Sequence, residues 1–205
     1  MRRALVALLT LLALLAGCAS QPPATTVSPT ASVWKGARLD RPYDLPDVTL
    51  TDQNGRPFAL RTGSDKPVLV LFFGYSNCPD ICQSIMADLA TALTQAGPAV
   101  KAKVQVVFVT MDPKRDTPAV LAKWLPRFDP DFIGLTGDLD QIVALGEKVG
   151  IAYQGTTPQA NGGYEVTHST QVIGFERTQG VLVWTQGTAI GSFTDDFTRL
   201  AEEAA

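Results

Sequence analysis

A chain of 205 residues is long enough for one domain with a full hydrophobic core and a short extension. Apolar residues make up 45% and charged residues 18%, a balance that excludes an intrinsically disordered chain. The formal net charge is −3, with no basic cluster along the sequence, which excludes nucleic acid as a partner.

Residues 1–17 read as a signal peptide. Arg2 and Arg3 form a positive head, and Ala4 to Ala16 is an apolar stretch too short to span a bilayer comfortably. It ends in Leu15-Ala16-Gly17-Cys18, which resembles a bacterial lipobox and marks Cys18 for lipidation. Acyl chains there would hold the protein at the extracytoplasmic face of a cell membrane, as a lipoprotein without a spanning helix. Residues 18–33, rich in Ala, Pro, Ser and Thr, read as a flexible tether, so the folded domain is expected over 34–205.

Val48-Thr49-Leu50 and Pro57-Phe58-Ala59-Leu60 flank Asn54-Gly55, a strong turn signal, and predict a β-hairpin. The unbroken apolar run from Pro67 to Phe73 predicts a strand buried on both faces of a sheet. Pro79 to Gln95 reads as a helix, with Pro79 in its first turn and Ile81, Ile85, Leu89 and Leu93 on one face. Val104 to Thr110 is a second buried strand. Thr117 to Leu125 is a helix with Pro118 in its first turn and Pro126 as its stop, and Asp138 caps a helix reaching Val149. Thr170–Glu176 and Val181–Gln186 predict a second hairpin about residues 177–180, after which Ser192 or Thr194 caps a last helix. This order of elements implies an α/β fold, a thioredoxin-like sandwich with an added N-terminal β-hairpin.

With Cys18 lipidated, Cys78 and Cys82 are the remaining thiols, and His168 is the only histidine in the chain. Spacing of i, i+4 on a helix puts two side chains on one face, and a thiol at the helix mouth is favoured as thiolate. Two thiolates and one imidazole suit copper: sulfur favours Cu(I), and the mixed set also holds Cu(II). A closed structural zinc site takes four ligands, and the chain offers three of the N/S type. The same two cysteines also read as a redox dithiol, or as a small bridge whose short loop constrains the unfolded chain little. His168 taken alone reads as an ordinary satisfied histidine; what favours a ligand role is its place after Asn161-Gly162-Gly163 and before the next strand, whose start in such a fold faces the dithiol.

Gly74-Tyr75-Ser76-Asn77-Cys78-Pro79-Asp80-Ile81-Cys82 resembles the GYTxCPDxC signature of the Sco/SenC proteins. Thr110 to Pro118 is similar to that family's VDPxRDTP segment, Val166-Thr167-His168-Ser169 to its VDHS, and Leu50 to Gly55 also fits. Gln83 stands where the family commonly has proline, and Thr167 where it has an acidic residue. The resemblance covers about Pro46 to the C-terminus. It implies a membrane-anchored copper-binding protein of thioredoxin fold, with Cys78, Cys82 and His168 as the copper ligands. The implied role is assembly of the dinuclear CuA centre in subunit II of cytochrome c oxidase, as copper donor, as thiol reductant, or both. The implied partners are that subunit and a periplasmic copper chaperone or thiol reductant, with the protein itself a monomer. Asp112 reads either as a residue steering the loop or partner, or as a loop-initiating Asp before Pro113.

A thiol–disulfide oxidoreductase of the thioredoxin class is the competing reading. Such proteins typically use CxxC and a cis-proline facing the dithiol. This chain has CxxxC and no proline after Pro158.

Overall fold

The computed structural model describes residues 32–160 and 162–204. The signal peptide, Cys18 and most of the tether lie outside the described residues. Val33–Ala205 forms one compact unit, and among the described residues no helix is long and apolar enough to cross a membrane.

The strands in chain order are β1 (Ala37–Asp44), β2 (Thr49–Asp52), β3 (Pro57–Ala59), β4 (Val68–Gly74), β5 (Val104–Thr110), β6 (Ile133–Thr136), β7 (Tyr153–Pro158), β8 (Tyr164–His168), β9 (Val172–Glu176) and β10 (Gln179–Trp184). The helices are α1 (Ile81–Ala96), α2 (Pro98–Lys101), α3 (Pro118–Trp124), α4 (Leu139–Lys148) and α5 (Ile190–Glu203), with a 3-10 turn at Leu125–Arg127. One eight-stranded sheet runs β1-β10-β9-β4-β5-β6-β2-β3, and β7 and β8 form a separate two-stranded sheet.

β4 and β5 pair in parallel at the centre, and every residue of both is buried. That explains their unbroken apolar sequences, because helices cover a parallel sheet on its faces. α1 packs against α5 and buries Ile85, Met86, Leu89 and Leu93. The predicted N-terminal hairpin is β2–β3. Asp52 ties its turn by accepting the Asn54 and Arg56 N–H groups at 2.8 Å each, Gly55 takes a φ of 76°, and β2 adds to the edge of β6. The fold is the α/β thioredoxin-like sandwich, with this hairpin extending one edge.

Several boundaries differ from the sequence reading. α1 starts at Ile81 with Asp80 at its N-cap, so Pro79 belongs to the preceding turn. Pro126 prolongs α3 into the 3-10 turn instead of ending it, since a first-turn residue needs no N–H. α5 opens two residues before Ser192, with Ala189 at the N-cap and no side-chain cap, and Thr194 Oγ1 bonds back to Ile190 O at 3.0 Å. Asp138 does cap α4, accepting Gln141 N–H at 3.1 Å. The β9–β10 turn is tighter than read: Glu176 pairs with Gln179, which leaves Arg177, at φ 53°, and Thr178 as the connection. β1 went unread because its residues are mostly exposed, and it gains strand form only by pairing with β10.

Candidate metal centre

β4 ends at Gly74, level with Thr110 of β5, and there the chain leaves the sheet for α1. The Cys78 N–H donates to Tyr75 O at 3.2 Å, closing a turn that places Cys78 ahead of α1. Cys78 therefore does not share a helix face with Cys82, as the i, i+4 spacing suggested; the turn brings the two thiols together instead. Both are free and buried, Cys82 completely so.

Their environments drive them apart. The Cys82 thiol donates a hydrogen bond to Cys78 sulfur, which is the main reason the Cys78 pKa falls to about 5; backbone N–H groups of Asp80 and Cys82 and the nearby His168 also favour its thiolate. That same hydrogen bond, with burial, drives the Cys82 pKa far up and keeps it protonated. Glycine at position 74 makes this possible. A Cβ there would stand 3.0 Å from Cys82 Sγ and 2.9 Å from Phe108 Cε2.

His168 ends β8, with Ser169, Thr170 and Gln171 between it and β9. The sequence reading put it at the entry to the next strand of the main sheet; it sits instead on the separate hairpin, opposite Tyr153. Its Nδ1–H donates to Ser169 O at 2.7 Å, which leaves the Nε2 lone pair for a ligand. Burial pushes its pKa down, so the ring is neutral near pH 7. The Tyr75 ring meets it edge-on at 5.9 Å. Cys78, His168 and Tyr75 line one cavity of about 340 Å³, with Asp80 and Glu165 also on its wall. Cys82 is not on that wall; it lies behind Cys78. Among the described residues, no three His, Cys, Asp or Glu side chains stand close enough to hold a metal ion as they are. The donor set nonetheless fits a soft metal: one thiolate, one thiol in contact with it, and one imidazole with a free nitrogen.

Two residues of the second motif prove to be structural partners of this site. Asp112, 4% exposed, accepts the Tyr164 hydroxyl at 2.8 Å and pairs with Arg115. Asp116, fully buried, accepts Ser76 N–H at 2.8 Å, Thr110 Oγ1–H at 2.6 Å and the Ser76 hydroxyl. Asp116 and Tyr75 were passed over as functional residues. The available signal was their position inside the quoted motifs.

A mixed sheet with parallel central strands β4, β5 and β6, a dithiol at the strand-to-helix junction, and an imidazole facing it from an added hairpin define a thioredoxin-like dithiol protein with a third donor. The SCO1/SenC family model matches residues 38–197, and the chain belongs to that family. Mitochondrial protein SCO2 of Saccharomyces cerevisiae is 38% identical over 123 residues, 58% of this chain and 40% of that one. The chain spans about half the length of the curated relatives it matches. The solution structure of apo Sco1 from Thermus thermophilus aligns with a TM-score of 0.72 at 31% identity, covering 82% of this chain and 96% of that one. Yeast Sco1 with copper bound aligns with a TM-score of 0.66 at 29% identity, covering 80% and 88%.

Proposed function

We propose that this protein is a copper metallochaperone. It binds one copper ion through Cys78, Cys82 and His168, and delivers it to, or reduces the cysteines of, the CuA site in subunit II of cytochrome c oxidase. It acts at an extracytoplasmic membrane surface, held there by lipid on Cys18. The observation that carries the reading is the pairing in one cavity of an ionised Cys78 with a neutral His168 whose Nε2 is free. The copper-bound relative supports it. Copper as cargo supplies a soft Lewis acid matched to thiolate and imidazole.

The residues also provide for release. Cys78 thiolate attacks a disulfide sulfur of the partner and expels one partner thiolate. Cys82, giving up its proton, then attacks Cys78 sulfur and expels the second. The partner gains two electrons and the pair becomes a disulfide, a poor metal donor. The test is an anaerobic Cu(I) competition titration on the reduced protein beside His168→Ala and Cys78→Ser. One tightly held equivalent, weakened in both variants, is expected. Weak binding indifferent to His168 overturns the ligand set.

One observation favours a second reading, a thiol–disulfide oxidoreductase without copper delivery. A thiolate at the cavity and a protonated thiol behind it divide the labour as attacking and resolving cysteines do. Undiminished disulfide reduction by His168→Ala, together with that weak copper binding, would put it first.

A further inference from the structure

The hairpin β7–β8 makes no ladder with the main sheet. An isolated two-stranded hairpin is marginally stable in water, so side-chain contacts must hold it in place. The polar contacts come from the loop between β5 and α3; the Tyr75 ring, the burial of Val166 in the core and the approach of α4 to β7 add to them. Asp112 accepts the Tyr164 hydroxyl at 2.8 Å. Arg115, paired with Asp112, donates from Nη1 to Tyr164 O at 3.0 Å. Its guanidinium lies 3.8 Å from the Tyr164 ring centroid and 5.7 Å from that of Tyr75. The Tyr75 and His168 rings meet edge to face at 5.9 Å. Arg115 Nη2 is buried with no protein hydrogen-bond partner, so the clamp is weaker than a fully bonded guanidinium would make it.

The same loop governs the other half of the site. Asp116 holds Ser76, in the turn that presents Cys78. We infer that residues 111–117 are the common reference for both halves: Asp116 sets the dithiol turn, while Asp112 and Arg115 latch Tyr164 and thereby set the position of His168. Asp112 and Arg115 are positioning residues and not ligands. The consequence for metal affinity rests on the copper reading above; the latch itself does not.

Lysine cannot reproduce this clamp, because its single ammonium lacks both the fork and the flat face of the guanidinium. The experiment compares amide hydrogen exchange in reduced, metal-free wild-type protein, Arg115→Lys and Tyr164→Phe. In Arg115→Lys, exchange from Tyr164 to His168 is expected to speed up about tenfold or more, the equivalent of one lost charge-assisted hydrogen bond, while β4, β5 and α1 stay protected. Tyr164→Phe keeps the ring under Arg115 and loses only the hydroxyl bond, so it accelerates the same residues less. Unchanged exchange in β8, or acceleration shared equally with β4, overturns the latch. Cu(I) titration supplies the second arm. Arg115→Lys should weaken binding in the wild-type background and add nothing in His168→Ala. Full additivity would mean that Arg115 does not act through His168. Wild-type binding indifferent to His168 would sink the ligand assignment alone, and β8 exchange would still decide the latch.

Discussion

Gly74→Ala tests the packing that holds the dithiol. The added Cβ would meet Phe108 Cε2 at 2.9 Å, Cys82 Sγ at 3.0 Å and Phe72 Cε1 at 3.2 Å. All three neighbouring side chains are fully buried, so none can swing into solvent. Gly74 has no positive φ, so alanine brings no backbone strain and restricts the unfolded chain, a gain of about 0.4–1 kcal/mol. Overpacking of a filled core costs about 1–3 kcal/mol. The net expectation is a loss of about 1–2 kcal/mol, and each 1 kcal/mol lowers Tm by roughly 2–4 °C in a domain of this size. The assay is urea unfolding of the reduced protein, read together with alkylation of Cys78 against pH. Because the neighbour displaced is the one whose hydrogen bond most favours the Cys78 thiolate, the alkylation profile should move to higher pH. Unchanged stability with an unchanged profile would refute the claim that glycine is required at 74 to seat Cys82.

In wild-type protein, reduced and metal-free, Cys78 alkylation should rise as pH climbs through about 5 and level off well before pH 9, where an ordinary thiol is still rising. The sign follows from a lowered pKa, which places the thiolate at lower pH; Cys82→Ala, removing the main cause, should shift the rise upward. Asp116→Ala leaves the Ser76 N–H and the Thr110 hydroxyl without their acceptor, and should cost about 2–4 kcal/mol in urea unfolding; a loss below about 1 kcal/mol would show the carboxylate to be dispensable. Asp196, fully buried, accepts the Lys35 and Gly36 N–H groups at 2.9 and 2.7 Å and Trp184 Nε1–H at 2.8 Å. Asp196→Ala should cost about 3 kcal/mol or more and expose residues 33–36 to protease. Cleavage there at the wild-type rate would contradict that anchoring.

Much of the fold was legible because burial on both faces leaves a local mark. The runs Val68–Phe73 and Val104–Thr110 are apolar without alternation, and both are fully buried central strands. Asp138 was legible as a cap because capping is a matter of neighbouring residues. β1 and β7 were not legible: their mostly polar, exposed residues carry little strand period, and pairing makes them strands. β8 does alternate, with Glu165 and Thr167 exposed and Val166 buried, but five residues are a short signal. The start of α5 was misread because Ser192 and Thr194 look like caps, whereas the helix opens earlier behind Ala189.

The sequence by itself determined the chemistry available: two thiols beside the mouth of α1, one histidine downstream, and carboxylates within a recognisable motif. Only the tertiary structure decided how they are used. It took Cys78 off the helix, buried Cys82 against Gly74, and put His168 on its own hairpin. It tied Ser76 to Asp116, Arg115 to Tyr164 and Asp112 to Tyr164 across 40, 49 and 52 residues of chain. Local patterning records whether a side chain faces core or solvent. It holds no record of which distant partner completes a hydrogen bond, because that partner is chosen only when the sheet and its hairpin assemble.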